Sequence, residues 1–317
     1  MDNRAGAGGT VITDEVRWNL LQKQIQERDV VRAFELFQKQ GIEPILIKGL
    51  STGQWYPRLR PRISVDMDLA IHPEDLTAAE KVVASSDANG LAIDLHSGLR
   101  HFDKRPWEDL FDSTQMLKTS AGEVRVLCPE DNLRVICVHW LTDGGAVKER
   151  LWDIYYAIEN RPPDFDWDRF MDVSVRRKRW LQCAIGLAAR YLDLDLSDTP
   201  LVGVENDIPR WIIETVEREW ARTDRFWGME VAIHDRKEIW RQLRRRILEP
   251  NPIWATVIVE GSFDARTRFF YHIGNFIKRI GPSYRRISTS MIARRKSLRN
   301  GVATKEDNNE RKGHPRH

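Results

Sequence analysis

The sequence predicts a mixed α/β domain followed by an all-helical part, and two observations support this. Between residues 45 and 127, short segments alternate apolar and polar residues with a period of two, as β-strands do, and segments with helical spacing lie between them. After Pro129, apolar residues recur only at helical spacing. The 317 residues are enough for two domains and at least one sizeable core.

The composition excludes several classes of protein. Apolar residues make up 41% and charged residues 31%, as in a largely folded chain. The cysteines, Cys128, Cys137 and Cys183, are odd in number and none has C-x-x-C spacing, so neither a disulfide framework nor a zinc site is expected. The N-terminus lacks the apolar stretch of a signal peptide, and no run approaches the ~18 apolar residues of a transmembrane segment. A cytoplasmic protein is therefore expected.

The first predicted element is a long helix. Residues 1–12 are small and Gly-rich and are expected to form a flexible tail. Thr13 is typical of a helix N-cap, acidic residues follow it, and apolar residues recur at helical spacing as far as Phe37. Gly41 is typical of a helix end, so the segment forms either one long helix or two consecutive ones.

The next elements contain two acidic residues with the same orientation. Residues 45–47 form a short apolar strand that ends at Lys48-Gly49. In ISVDMDLAI, residues 63–71, the apolar residues at 65, 67, 69 and 71 alternate with Asp66 and Asp68. This alternation predicts a half-buried strand over 64–71, and residues i and i+2 of a strand lie on one face. The polar face of a core strand therefore carries two carboxylates.

A second acidic strand follows. Residues 91–96 alternate in the same way and place Asp94 and His96 on their polar face. A helix from Pro73 separates the two acidic strands, and residues 122–127 form another strand. Helical patterns then cover 133–141, 151–158, 166–193, 208–222 and 235–248.

The carboxylates indicate a metal site if the two acidic strands are neighbours in the sheet. Asp66, Asp68 and Asp94 would then lie close together and repel one another, which is costly unless a cation neutralises them. Magnesium in proteins is typically bound by one or two carboxylates and substrate phosphates, and two such ions ~4 Å apart can catalyse phosphoryl transfer. The other interpretation of these residues is a solvent-facing polar edge of the sheet.

The segment before the acidic strand suggests phosphate binding. A strand that ends at Gly49 and leads into a short helix presents backbone N–H groups to an anion. Lys48 and Arg62 add positive charge, and Ser51 lies at the start of the predicted helix. The alternatives are an ordinary turn for Lys48-Gly49 and a simple ion pair between Arg62 and Asp66 or another acid nearby.

These residues resemble a known family. LIKGLSTGQWYPRLRPRISVDMDLAIHPED is similar to the core of an uncharacterised bacterial nucleotidyltransferase family in the polymerase-β-like nucleotidyltransferase superfamily. That core reads L-K-G…Y-P…R-x-x-x-D-[IM]-D-L. The I-D-L-H element at 93–96 matches the third acid of the family, and His139 with R-L-W-D at 150–153 matches a later helical segment. Two features differ from the family pattern: the segment between the acidic strands is short, and Asp143 stands where a second histidine is common.

The resemblance implies an α+β fold, with a polymerase-β-like mixed sheet and flanking helices followed by an all-helical domain. The domains expected on this basis are a flexible tail at 1–12, a nucleotidyltransferase domain at 13–128, a helical domain at 129–260, a basic region at 261–299 and a disordered tail at 300–317.

The resemblance also implies a reaction: transfer of a nucleoside monophosphate from an NTP to an unidentified acceptor, with release of pyrophosphate and with Mg²⁺ or Mn²⁺ as cofactor. Asp66, Asp68 and Asp94 would bind metal and carry catalysis, with Asp94 helping to deprotonate the acceptor. The nucleotide would be bound by Lys48, Gly49, Ser51 and Arg62. The acceptor could be a small molecule, a peptide, a protein or RNA. The alternative functions are a non-catalytic regulatory protein of the same fold, or an adaptor that binds nucleic acid or membrane.

Two further groups of residues have structural interpretations. His139 is expected to be a core histidine, and Arg150 and Asp153 are expected to form a local helical ion pair.

The net charge of +3 does not itself indicate a nucleic-acid partner, but residues 266–299 contain ten lysines and arginines and no acid. This region forms either a surface helix with a solvated basic face or a binding surface for an acidic partner such as RNA, membrane headgroups or an acidic peptide.

Overall fold

The computed structural model describes residues 13–97, 99, 105–223, 236–247 and 250–278. The chain divides into two compact units, at residues 1–213 and 214–317. The predicted tails at 1–12 and 300–317 lie outside the described residues, as does the basic region beyond residue 278.

The first unit contains a five-stranded mixed sheet, which confirms the predicted α+β fold. Its strands are β1 Ile45–Ile47, β2 Met67–Ile71, β3 Ile93–Ser97, β4 Gln115–Lys118 and β5 Glu123–Val126, in the order β3-β2-β1-β5-β4. β1 pairs antiparallel with β2 and parallel with β5, while β2 pairs parallel with β3 and β4 pairs antiparallel with β5. The two acidic strands are therefore sheet neighbours.

Four helices accompany the sheet: α1 Asp14–Gln38, α2 Leu50–Gly53, α3 Leu76–Val83 and α4 Trp107–Asp112. The predicted N-cap of α1 is confirmed, since the Thr13 side chain accepts a hydrogen bond from the Val16 backbone N–H at 3.3 Å. The segment is one continuous helix rather than two. Helix α4 and strand β4 were not predicted from the sequence, because they are short elements without a clear apolar period.

Both faces of the central strands are covered. On one face, apolar residues of α1 and α3 pack on Leu46, Leu69 and Ile71. On the other face, Ala70 packs in a second cluster with residues of β1, α4 and the helix that begins at Pro129. Every residue of β2 is therefore buried, rather than half of them as the alternation predicted. The strand also starts later than predicted: Val65 precedes it and is 92% exposed.

Helix α5, Pro129–Thr142, is fixed to the rest of the unit by buried charge. Asp131 in its first turn is fully buried. It accepts hydrogen bonds from Arg105 at 2.8 Å and Arg169 at 2.6 Å, and Arg134 lies 3.7 Å away. These arginines satisfy a carboxylate that would be very costly to bury alone. The network fixes the direction of α5, which carries His139 toward the end of strand β2.

The remaining helices of the first unit are α6 Leu151–Glu159, α7 Trp167–Met171 and α8 Val175–Leu192. The predicted helical stretch at 166–193 is thus two helices, separated at residues 172–174. Helices α5, α6 and α8 pack on one another in the same compact unit as the sheet. The proposed domain boundary after residue 128 stays a prediction.

The second unit is helical where it is described. Helix α9, Arg210–Trp220, begins before the division and ends within this unit, followed by α10 Arg236–Ile247, α11 Pro252–Ile258 and helical residues 269–278. Within this unit, Arg245 donates to the buried carboxylate of Glu219 at 2.6 Å. Among the described residues of the chain, no helix combines the length and hydropathy needed to cross a bilayer.

Replacing Gly186 by alanine should destabilise the protein, although alanine favours a helix over glycine by about 1 kcal/mol. A Cβ at this position of α8 would lie 3.0 Å from the backbone oxygen of Val204 and 3.2 Å from the Ile208 side chain. The backbone oxygen cannot rotate away, so we expect a net loss of about 1–2 kcal/mol in urea denaturation.

Gly53→Ala is the matched control, because its new Cβ would meet only ordinary contacts, the nearest being Arg62 Cβ at 3.6 Å. It should be neutral or slightly stabilising. A Gly186→Ala protein as stable as the wild type would contradict the close packing of α8 on residues 204–208.

Candidate functional site

An open cleft of about 610 Å³ lies in the first unit, where the ends of β1 and β2 meet helices α5 and α6. It is lined by Lys48, Gly49, Tyr56, Arg62, Ile63, Ser64, Val65, Asp66, Asp68, Asp94, His139, Asp143, Glu149, Arg150 and Asp153. Six of the seven predicted site residues are in this lining. The exception is Ser51.

Two of the predicted acids are direct neighbours across strands. Asp68 of β2 pairs in register with Asp94 of β3, so both side chains lie on the same face of the sheet. His96, two residues along β3, joins them. Its Nε2 lies 2.9 Å from Asp68 Oδ1 and 3.4 Å from Asp94 Oδ2. Asp68 is buried, whereas the Asp94 side chain is 61% exposed and lines the cleft.

Lys48 supplies the positive charge nearest to Asp68. Its Nζ lies 2.6 Å from Asp68 Oδ1, and each of these side chains is about nine-tenths buried. Burial opposes ionisation of Asp68, but the hydrogen bonds from His96 and Lys48 and the charge of Lys48 outweigh it and lower its pKa to about 2. Asp68 is therefore a stable anion at neutral pH, and an ammonium group of the protein lies against it.

The turn after β1 has an unusual backbone. Lys48 and Gly49 are both in the left-handed region, with φ of 61° and 52°. Such a conformation is strained for a lysine, and it persists only where the surrounding structure fixes it. Gly49 precedes the first residue of α2 and lines the cleft. The turn thereby places the Lys48 side chain and the Gly49 backbone at the same edge of the cleft.

Ser51 is placed differently from the prediction. It is fully buried, and Asn132 Nδ2 of helix α5 donates to its backbone oxygen and to Oγ, both at 3.3 Å. The side chain therefore ties α2 to α5. Direct phosphate binding by Ser51 stays a prediction that this placement does not favour.

Asp66 lies at the rim of the cleft. It is exposed and belongs to the bend before β2, where the Ser64 hydroxyl donates to the Asp66 backbone oxygen at 3.0 Å. Within the described ranges, the ligand atoms that lie within 4.8 Å of one another are those of Asp68, Asp94 and His96, and Asp66 is not part of this group. The bend, rather than a continuous strand through residue 66, accounts for the separation.

Arg62 is held by an acid on helix α6. Its Nε and Nη2 donate to Asp153 Oδ1 and Oδ2 at 2.7 and 3.0 Å, and the Tyr56 hydroxyl donates to Asp153 Oδ1 at 2.6 Å. Burial disfavours the Arg62 cation, but the Asp153 charge and hydrogen bonds outweigh it and raise its pKa. Arg62 therefore remains a cation in the wall of the cleft. The predicted local pair of Arg150 with Asp153 is not formed. The alternative for Arg62, a pair with Asp66 or another acid nearby, is met by Asp153 rather than by Asp66.

The loop that carries Arg62 is attached to α6 by further contacts. The Arg60 guanidinium lies 4.2 Å from the centre of the Trp152 ring, and its Nη1 donates to the Tyr156 hydroxyl at 3.1 Å. Asn160 Nδ2 donates to the Trp55 backbone oxygen at 2.8 Å. These contacts fix one wall of the cleft to the helical part of the unit.

His139 faces the cleft instead of being a simple core residue. Arg150 Nη1 lies 3.1 Å from His139 Nε2, and because arginine can only donate, Nε2 is the acceptor. Arg150 also donates to Asp143, and His139 Nε2 lies 3.6 Å from that carboxylate. Burial and the charges of Lys48 and Arg150 lower the pKa of His139 to about 3. The imidazole is therefore neutral at pH 7, and it is a poor candidate for a general base.

The donor set at the sheet edge fits a magnesium ion. Asp68 and Asp94 offer two carboxylates in register at an open cleft, and magnesium typically binds one or two carboxylates together with phosphate oxygens. His96 can hold the two carboxylates through its Nε2. Arg62, Lys48 and Gly49 lie on the same cleft, where an anionic ligand would meet positive charge.

The contacts of three residues at the site could not be predicted from the sequence. Alternation placed His96 on the polar face beside Asp94 but did not reveal its contact with Asp68. Helical spacing did not reveal the polar environment of His139, and Asp153 had a partner 91 positions away. The R-L-x-x-D pattern around Asp153 was the available indication, but it gives no partner.

Comparison with models of protein families matches residues 11–193 to a family described as uncharacterised nucleotidyltransferase. The match spans more than half of the chain and includes every residue that lines the cleft. Comparisons with curated proteins and with solved structures found no match.

The stability that Asp68 contributes should disappear in acid. Its pKa in the folded protein is below the ordinary 3.8, so the folded protein binds this proton less tightly than the unfolded chain does. The contribution is therefore complete above about pH 4 and is lost as the pH falls toward 2. The difference in unfolding free energy between wild type and Asp68→Asn should shrink by at most about 2 kcal/mol over this range.

Urea denaturation of both proteins at several pH values between about 5 and about 2 measures this difference. A difference that does not depend on pH would contradict the buried ion pair.

Proposed function

The chain belongs to the family of uncharacterised nucleotidyltransferases, and from this premise we propose that it transfers a nucleoside monophosphate from an NTP to an acceptor and releases pyrophosphate. The observation that carries the proposal is the pair Asp68 and Asp94, in register on adjacent strands and next to Lys48 in an open cleft. Family membership supports nucleotidyl transfer in general, and the acceptor is not specified by it.

In this proposal the phosphates of the NTP bind at the turn after β1. Lys48 and Arg62 supply positive charge, and the backbone of Gly49 lies at the same edge. Lys48 would serve two partners in this proposal, because its ammonium group also contacts Asp68. The position of the Arg62 guanidinium is fixed by Asp153, so its charge is pre-organised for an anion.

Asp68, Asp94 and Asp66 are proposed to hold the divalent cations, with Mg²⁺ or Mn²⁺ as the ion. When bound, such an ion neutralises phosphate charge and stabilises the charge that develops during transfer. Asp66 lies at the rim and can approach only from the bend before β2, so we assign it to the nucleotide side of the site. Asp68, fixed by Lys48 and His96, is the central ligand in this assignment.

The chemical step follows from these positions. An acceptor oxygen attacks the α-phosphorus, a new P–O bond forms, and the bond from the α-phosphorus to the leaving pyrophosphate breaks. Asp94 takes the proton of the acceptor hydroxyl, because it is the exposed carboxylate next to Asp68. His139 is not assigned as a base, because its pKa is lowered, and it accepts a hydrogen bond from Arg150 in the cleft lining.

Removal of the acids should abolish transfer. Asp66→Asn together with Asp68→Asn should lower the rate by at least ~10³-fold, the scale expected when a main electrostatic contributor is lost. This double variant should also be less stable, because Lys48 would lose the carboxylate next to its buried ammonium group. Relief of carboxylate repulsion alone would have stabilised it.

Asp94→Asn separates the loss of transfer from the loss of stability. Its exposed side chain can be changed without loss of stability, while transfer should fall by at least ~10²-fold.

The chain offers a matched control in a second D-x-D sequence, Asp193-Leu194-Asp195, whose aspartates are exposed and lie outside the cleft lining. Asp193→Asn with Asp195→Asn should leave transfer unchanged. The assay uses labelled NTPs with Mg²⁺ or Mn²⁺ and candidate acceptors, scores pyrophosphate release, and is run beside melting curves with metal and nucleotide. The proposal would be contradicted if the melting temperature of the wild-type protein did not change on addition of metal together with any of the NTPs.

A further inference from the structure

The helical residues 269–278 carry an apolar stripe that faces outward. Its five members, spaced i, i+1, i+4, i+7 and i+8 along one helical face, are 42 to 70% exposed. They are Phe269, Phe270, Ile273, Phe276 and Ile277. We call them the aromatic stripe. Single exposed apolar residues are common on protein surfaces, but five large ones on one face of a short helix are not.

The opposite side of the same helix is the packed one, and it is small or polar. Asn275 is buried. A Cβ added at Gly274 would lie 3.1 Å from Val259, and the ring of Tyr271 covers Gly261 and accepts, through its hydroxyl, from the Ser262 N–H at 3.2 Å. Lys278 Nζ donates to the Ile258 backbone oxygen at 3.1 Å. The helix is therefore fixed, by its small and polar side, to the last residue of α11 and to the residues that follow it. This is the reverse of an ordinary surface helix.

The charge near the aromatic stripe is mainly positive. Arg266, Arg268 and Lys278 flank it, and the described acid beside them is Asp264, which lies near Arg268. In the sequence, residues 266–299 contain ten basic residues and no acid. Arg268 also donates to the Phe263 backbone oxygen at 2.9 Å, which leaves its charge next to the start of the helix. A partner of this surface must therefore be both apolar and anionic.

We propose that residues 266–278 form a membrane-docking surface that binds the face of an anionic lipid bilayer. A helix lies in the bilayer interface when its apolar residues enter the acyl boundary and basic residues meet anionic headgroups. Two members of the stripe are isoleucines, which pack with hydrocarbon but do not stack on nucleobases, so the composition favours lipid over RNA. The helix needs no transmembrane length for this mode of binding, since its apolar side is already exposed.

The surface lies outside residues 11–193, which the family match covers, and it is independent of the cleft. Membrane docking can therefore be tested separately from nucleotidyl transfer. It specifies where the chain is held, not what it transfers.

Vesicle co-sedimentation of the full chain tests the proposal. Wild type should bind vesicles of phosphatidylcholine mixed with phosphatidylglycerol, bind vesicles of phosphatidylcholine alone much less, and lose most binding in high salt. Phe269→Ser with Phe270→Ser and Phe276→Ser should weaken partitioning to the anionic vesicles by at least about tenfold, because the apolar contact is lost while the basic residues remain. Trp18→Ser, which removes an exposed aromatic residue of α1, should bind as the wild type does.

A second variant tests whether weaker binding by the triple serine variant could result from misfolding. Phe270→Glu places one carboxylate on the most exposed residue of the stripe and should by itself reduce binding to anionic vesicles, with an unchanged melting curve. Equal binding of wild type and the triple serine variant would overturn the proposal. So would the absence of vesicle binding combined with tight binding of single-stranded RNA, or with self-association through the stripe measured by analytical ultracentrifugation.

Discussion

A buried ammonium group meets a buried carboxylate where strand β1 ends beside strand β2, and the cleft depends on this contact. Lys48 or Asp68 alone would be costly at that depth, so each fixes the position of the other. The Lys48 side chain extends to this contact from the turn in which Lys48 and Gly49 both have positive φ. This ion pair thus joins two strands beside the turn that borders the cleft, and together with the hydrogen bond from His96 it keeps Asp68 ionised.

The wall of the cleft that contains Arg62 is also fixed by a contact between opposite charges. Asp153 satisfies Arg62 with two hydrogen bonds and Tyr56 with a third, although Arg62 and Asp153 are 91 positions apart. The ion pair between Arg62 and Asp153 thereby attaches the loop before strand β2 to helix α6. The cleft is therefore a product of the sheet and the helices together, and its cations are held by acids before any anionic ligand arrives.

The sequence was sufficient where a local period decides the geometry. Alternation placed Asp68 and Asp94 on the polar faces of two strands, and register in the sheet brought them together. Alternation did not predict the first residue of strand β2, because it does not show where strand pairing begins. Val65 is solvent-exposed and Asp66 belongs to the bend before the strand. The sequence also could not reveal the partner of Asp153 or the environment of His139, because such contacts depend on tertiary packing between distant segments.

Both compact units depart from the rule that charges lie outside and apolar groups inside, and the departures differ in kind. In the first unit, the buried carboxylates of Asp68, Asp131 and Asp153 are each met by an opposite charge, so their cost is offset within the fold. In the second unit, the aromatic stripe is left in water while the small and polar side of the same helix is packed. Nothing among the described residues of that unit offsets this exposure. An external apolar surface would do so, and the basic residues beside the stripe restrict that surface to an anionic one.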